Sequence, residues 1–134
     1  MRGREAGPII ASRLEADLRV RFPDVTVRWA PDEDEPSWRV FYVSEPNNSW
    51  GPTSIWADDD DELDDDEVEK LLVDVAENVA DNLWPDEATD PWPVCPEHGD
   101  HPLAIGVIRG RACWHCRRDG SIAIPIGTLA ELVR

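Results

Sequence analysis

Apolar residues recur at helical spacing in two stretches of the chain and alternate in most of the others. Over 9–22, IIASRLEADLRVRF, Ile10, Leu14 and Leu18 follow at four-residue steps with Ile9, Ala11 and Phe22 beside them. Arg13, Glu15, Asp17, Arg19 and Arg21 fall largely on the opposite side. This spacing predicts an amphipathic helix, with Pro8 just before or within its first turn and Pro23 as its stop. VTVRWA at 25–30 alternates Val25, Val27 and Trp29 against Thr26 and Arg28, which predicts a half-buried strand. An acidic, proline-bounded loop at 31–37 leads to WRVFYV at 38–43, a second strand with Trp38, Val40 and Tyr42 on one face. The two strands are expected to pair antiparallel. A turn cluster, SEPNNSWGP, precedes a short third strand at 53–57.

Val68, Leu71, Leu72, Val75, Val79 and Leu83 carry the second helical pattern and predict a helix over 65–84, ended by Pro85. Asp64 and Glu67 make a capping-box pair with Asp in the Ser/Thr role, and Leu63 and Val68 are placed as a hydrophobic staple around it. Residues 85–94 contain three prolines and no periodicity, and read as a stiff linker. Beyond it, LAIGVI at 103–108 and RACW at 111–114 flank Arg109-Gly110, a two-residue hairpin signal. SIAIPI at 121–126 adds a strand, and GTLAELV a short helical turn. The pattern thus predicts an α+β domain at 1–84, two helices on a small antiparallel sheet, then a smaller unit at 95–134.

Charge sharpens the division. The net charge of −16 is concentrated in residues 31–94, which hold twenty-one acidic residues against two basic ones. That segment repels nucleic acid and anionic membrane and attracts basic protein surfaces. Asp58, Asp59, Asp60, Asp61, Asp64, Asp65 and Asp66 form its densest part and are the candidate surface for a basic partner. Asp58, Asp60, Glu62 and Glu69 fall at calcium-loop positions, but Leu63 stands where that loop requires glycine, so the run reads as a solvated face. Most of the seven tryptophans have a packing role in prospect: Trp29, Trp38 and Trp56 on strands are expected in the core, and Trp50, Trp84 and Trp92 at turns or the linker.

All three cysteines and all three histidines lie between residues 95 and 116. Cys95 and His98 have two residues between them, as do Cys113 and Cys116. Thiolates and neutral imidazoles at this spacing suit one tetrahedral ion. The reading takes Cys95, His98, Cys113 and Cys116 as ligands of a Zn2+ ion, with His101 as an alternative to His98. CPEHG and CWHC resemble the knuckles of zinc-ribbon proteins, the first with one cysteine replaced by histidine. The resemblance covers residues 95–120 and implies a C-terminal zinc ribbon whose metal is structural.

Cys95-Pro96-Glu97 with CWHC also matches the zinc deaminase pattern superficially. However, Gly99 and Pro102 break the helix that such a site needs, and Ala112 stands in place of its proline. No Ser/His/Asp order, phosphate loop or dinucleotide fingerprint accompanies it. The helix–strand–strand–strand–helix order is similar to that of double-stranded-RNA-binding domains, but the acidity of the middle segment opposes phosphate binding. Arg109, Arg111, Arg117 and Arg118 leave a nucleic-acid or protein contact open through the ribbon alone. An odd cysteine count with no secretory or membrane-spanning stretch points to a reducing, cytoplasmic setting. The sequence reading is therefore a non-enzymatic zinc-binding interaction module, with two alternatives: a zinc-dependent enzyme, or a nucleic-acid-binding ribbon autoinhibited by the acidic segment.

Overall fold

The computed structural model describes residues 1–46, 48–83, 92–120 and 122–131, with the backbone only at 48–51, 54, 56, 82 and 83. Helix α1 spans Gly3–Arg21 and is followed by strands β1 (Thr26–Pro31), β2 (Arg39–Glu45) and β3 (Asn48–Ala57). Helix α2 (Asp65–Leu83) comes next, then β4 (Ala104–Ile108), β5 (Arg111–His115), β6 (Ala123–Pro125) and a single 3-10 turn at Leu129–Glu131. The strands make two antiparallel sheets, ordered β1-β2-β3 and β4-β5-β6. The α+β mixture is as the periodicities predict, but the strands divide between two sheets. The expected linker falls mainly on residues 84–91, which lie outside the described residues.

Helix α1 starts six residues earlier than the apolar pattern suggests, and Pro8 lies inside it. The earlier start has a physical source outside the helix. Its first free amides are met by the acidic loop, Gly3 N–H donating to the Asp61 carbonyl (2.9 Å) and Arg4 N–H to that of Asp59 (3.1 Å). Gly7 lies so close to the Trp29 indole that a Cβ there would stand 2.5 Å from the ring. Helix α2 begins as its capping box predicts. Asp64 N–H donates to Glu67 Oε1 (3.2 Å) and Glu67 N–H to Asp64 Oδ1 (2.8 Å).

Ile10, Leu14 and Leu18 of α1 and Val68, Leu72, Val75 and Val79 of α2 are buried in one core with Val25, Val27, Phe41 and Val43. Leu103, Ala112, Trp114, Cys116, Ile126 and Leu129 belong to that same core, with β4 and β5 packed on α2 and the turn at Leu129–Glu131 on α1. The core-facing side of β2 carries Phe41 and Val43, whereas the alternation 38–43 was expected to turn Trp38, Val40 and Tyr42 inward. All of 40–43 are buried, which hides the parity from a sequence reading. Tyr42 is covered instead by the 31–38 loop. Its hydroxyl accepts from Glu33 N–H (3.1 Å) and donates to the Pro31 carbonyl (3.2 Å). Trp38, expected in the core, is 40% exposed just before β2. The side chains of Trp50 and Trp56, and Trp84 itself, lie outside the described residues. Trp92 meets Trp114 edge-on, ring centroids 6.0 Å apart.

Two buried carboxylates join the C-terminal sheet to the helices. Asp17 of α1 accepts from Trp114 Nε1 (2.6 Å) and from the amides of Gly127 (2.7 Å) and Leu129 (3.0 Å). Burial pushes the Asp17 carboxyl up, against these hydrogen bonds and the field of Arg13. Glu69 of α2 takes both Arg13 guanidinium nitrogens, at 2.7 and 3.0 Å, and the Ala112 amide at 3.0 Å. Burial works to raise Glu69, but Arg13, the Ala112 amide and the charge of Arg111 outweigh it and hold the carboxyl below its usual range. Arg13 Nε also donates to the Ile126 carbonyl (2.9 Å), so the pair clasps β5 and the segment after β6 together.

Candidate metal centre

Two turns of the same design build the site. In the first, Gly99 N–H closes on the Cys95 carbonyl (2.7 Å), and Cys95 N–H donates to the His101 carbonyl (2.9 Å). In the second, Gly120 N–H closes on the Cys116 carbonyl (3.1 Å), and Cys116 N–H donates to the Ile122 carbonyl (3.0 Å). Both glycines take positive φ, 74° and 67°, with open space where a Cβ would stand, so backbone freedom alone selects glycine there. The repeated unit is Cys-x-x-x-Gly: CPEHG and CRRDG. His98 occupies the third position after cysteine in the first turn, and Asp119 the same position in the second.

The structure brings Cys95, His98, His101 and Cys116 together, with all four donor atoms within 4.8 Å of one another. His98 Nδ1 lies 3.3 Å from Cys95 Sγ, 3.4 Å from Cys116 Sγ and 3.2 Å from His101 Nε2. Cys116 Sγ lies 3.8 Å from His101 Nε2. Ordinary zinc bond lengths at tetrahedral angles place two nitrogens about 3.3 Å apart and a nitrogen and a sulfur about 3.6 Å apart. The spacings therefore suit a small tetrahedral ion.

Donor chemistry agrees with the spacing. His101 Nδ1 is 2.9 Å from the Pro102 carbonyl oxygen, which can only accept, so that nitrogen carries the proton and Nε2 presents its lone pair to the cluster. His98 Nε2 lies 3.3 Å from Asp119 Oδ2. Both cysteines are buried and unpaired by disulfide, at 0% and 1% exposure. Such a group of two thiols and two imidazoles could hold a metal ion.

Cys113 is not a member of this group, in contrast to the set Cys95, His98, Cys113 and Cys116. The reason is strand parity. Residue 113 is still within β5, paired with Gly106 on one side and Pro125 on the other. Alternation sends Ala112 and Trp114 into the shared core and Cys113 to the opposite face, and the turn begins only at Cys116. Burial raises the Cys113 thiol, with Arg111 pulling the other way. His101 fills the fourth position as an addition to His98 and not as its substitute. The repeat of Cys-x-x-x-Gly was the available signal for the second turn and for Asp119; the more familiar CxxC spacing masked it.

The candidate partner residues fall in two places. The acidic loop lies against the N-termini of both helices. Asp59 pairs with Arg39 (2.8 Å), Asp60 and Glu62 with Arg2 (3.5 and 3.2 Å), and Asp61 Oδ2 accepts from Asp58 N–H (3.3 Å). Asp65 and Asp66 stand exposed in the first turn of α2. On the other segment, Arg109 and Gly110 both take positive φ at the β4–β5 turn, the predicted hairpin tip. Arg111 reaches toward Glu69 (3.6 Å), Arg118 pairs with Asp100 (3.3 Å), and Arg117 lines a cleft beside His101 and Pro102. Arg109 and Arg111 thus belong to the β4–β5 hairpin, whereas Arg117 and Arg118 line one cleft with His101 and Pro102.

No family model, curated protein or solved structure matches this chain. Among the described residues, no helix is long and apolar enough to cross a membrane.

Proposed function

We propose that this chain is a zinc-binding, non-enzymatic interaction module, its metal closing a ribbon-like C-terminal unit and its acidic surface receiving a basic protein. The observation that carries the metal half is the convergence of four soft or borderline donors, two thiols and two imidazole nitrogens, at tetrahedral spacing. Two thiolates and two imidazoles favour zinc over the hard, oxygen-seeking cations. Four protein donors leave no coordination position for a substrate, which makes the role of the ion structural.

Elemental analysis of the purified protein tests the reading directly: one zinc per chain is the expected result. Cys116→Ser should lose the metal, and Cys113→Ser should keep it. A metal-free protein, or loss of zinc from Cys113→Ser alone, would overturn the assignment.

Support for the partner half comes from the charge distribution. Asp65, Asp66, Asp74, Glu77 and Asp81 are exposed along α2, beyond the part of the acidic loop engaged with α1. An arginine-rich peptide should bind this face with an affinity that falls steeply as salt rises. Asparagine or glutamine at Asp65, Asp66, Asp74 and Glu77 should weaken that binding. Equal binding by the neutralised variant would remove the acidic face from the reading.

A further inference from the structure

We propose that Asp119 is a positioning residue of the metal centre, holding His98 in the tautomer and orientation that bring Nδ1 to the ion. The inference rests on the metal reading above and adds a fifth residue, one that touches a ligand and not the metal. Its basis is the repeat of the two turns. Each has a cysteine at its first position and a positive-φ glycine at its fifth, with the same amide-to-carbonyl closures. The fourth residue is His98 in one turn and Asp119 in the other. The two fourth side chains meet on the side of His98 away from the cluster, with Asp119 Oδ2 3.3 Å from His98 Nε2.

The chemistry of that contact is one-directional. A carboxylate accepts, so the proton of a neutral His98 is held on Nε2 and the lone pair on Nδ1. Nδ1 is the nitrogen that faces Cys95, Cys116 and His101. His101 is fixed in the same sense by a different acceptor, the Pro102 carbonyl. Each imidazole therefore has one nitrogen toward the cluster and the other against an acceptor, as metal-bound histidines generally require. The two supports differ in that a backbone carbonyl is set by the chain trace, whereas the carboxylate is a side chain and can be removed.

Competition of Co2+ and Zn2+ against a chromophoric chelator, on the full chain, measures the effect. Asp119→Ala should weaken binding about 10- to 100-fold and alter the visible d–d absorption of the cobalt form. Asp119→Glu should restore most of the affinity and the wild-type spectrum. Asp100→Ala removes a neighbouring exposed carboxylate, paired with Arg118, and should change neither. Should Asp119→Ala fail to fold by circular dichroism, the near-isosteric Asp119→Asn takes its place and is expected to bind with intermediate affinity. Unchanged affinity in the Asp119 variants, or an equal loss in Asp100→Ala, overturns the positioning role while leaving the metal centre standing. A wild-type chain that takes up neither ion overturns both.

Discussion

Among the described residues, Asp17 and Glu69 are the two buried acidic side chains, and they do opposite things with the same charge. Asp17 is held by three neutral donors, and its net shift is upward because burial outweighs them. Glu69 faces guanidinium groups and is shifted down. Through linkage, a lowered carboxyl contributes stability that is present above its unfolded pKa near 4.5 and is lost as pH falls through the folded value. A raised carboxyl works the other way: Asp17 gains stability as pH falls from its folded value toward 3.8. Urea denaturation between pH 3 and 7 should show a decline in acid that is smaller in Glu69→Gln. At pH 7, Glu69→Ala should cost about 3–5 kcal/mol, because Arg13 is left uncompensated in a mostly buried site. Asp17→Ala should cost about 3 kcal/mol by leaving the Trp114 indole and the Gly127 and Leu129 amides without an acceptor. Amide exchange at Gly127 and Leu129 should accelerate in that variant, locating the loss at the α1 contact.

At the scale of elements, α1 has little tolerance where it crosses β1. Gly7→Ala would drive a methyl into the Trp29 ring, which itself packs on Phe41 with centroids 4.7 Å apart. Overpacking of this kind should destabilise by about 1–3 kcal/mol, read as a lower urea midpoint at constant slope. The apolar periodicities of both helices were legible because Ile10, Leu14 and Leu18, and Val68, Leu72, Val75 and Val79, form single faces. The start of α2 was legible because its cap is local. The start of α1 was not, since carbonyls some fifty-five residues downstream supply it. Arg109-Gly110 announced its turn, and CPEHG its loop. Membership of Cys113 was misread because a spacing of two counts residues without saying where β5 ends. Asp119 carried no signal by itself, for an aspartate between arginine and glycine reads as an ordinary turn.

For the molecule as a whole, the sharing of one core by residues from both segments decides how metal and stability are coupled. Cys116 is part of that core, and the segment that follows it carries the Asp17 and Arg13 contacts. On the proposed metal reading, a strong chelator should therefore lower the midpoint of unfolding for the whole chain. The expected shift grows with the logarithm of free metal over its dissociation constant. Tryptophan fluorescence and far-ultraviolet circular dichroism should move together. Separate transitions for the helices and the C-terminal sheet would show that the shared core is energetically weak.

The contacts of Asp17 span 97 to 112 positions in sequence, and this carries a consequence for the order in which the chain is made. Helix α1 emerges from the ribosome well before the C-terminal sheet, yet its carboxylate meets its acceptor-seeking partners only when residues up to Leu129 have been added. During translation the apolar stripe of α1 can be covered early by Phe41 and later by α2, but the groups around Asp17 stay hydrated until the last sheet arrives. Helix α1 is thus synthesised early and completed late, and a nascent chain stalled before β5 should remain sensitive to protease along α1.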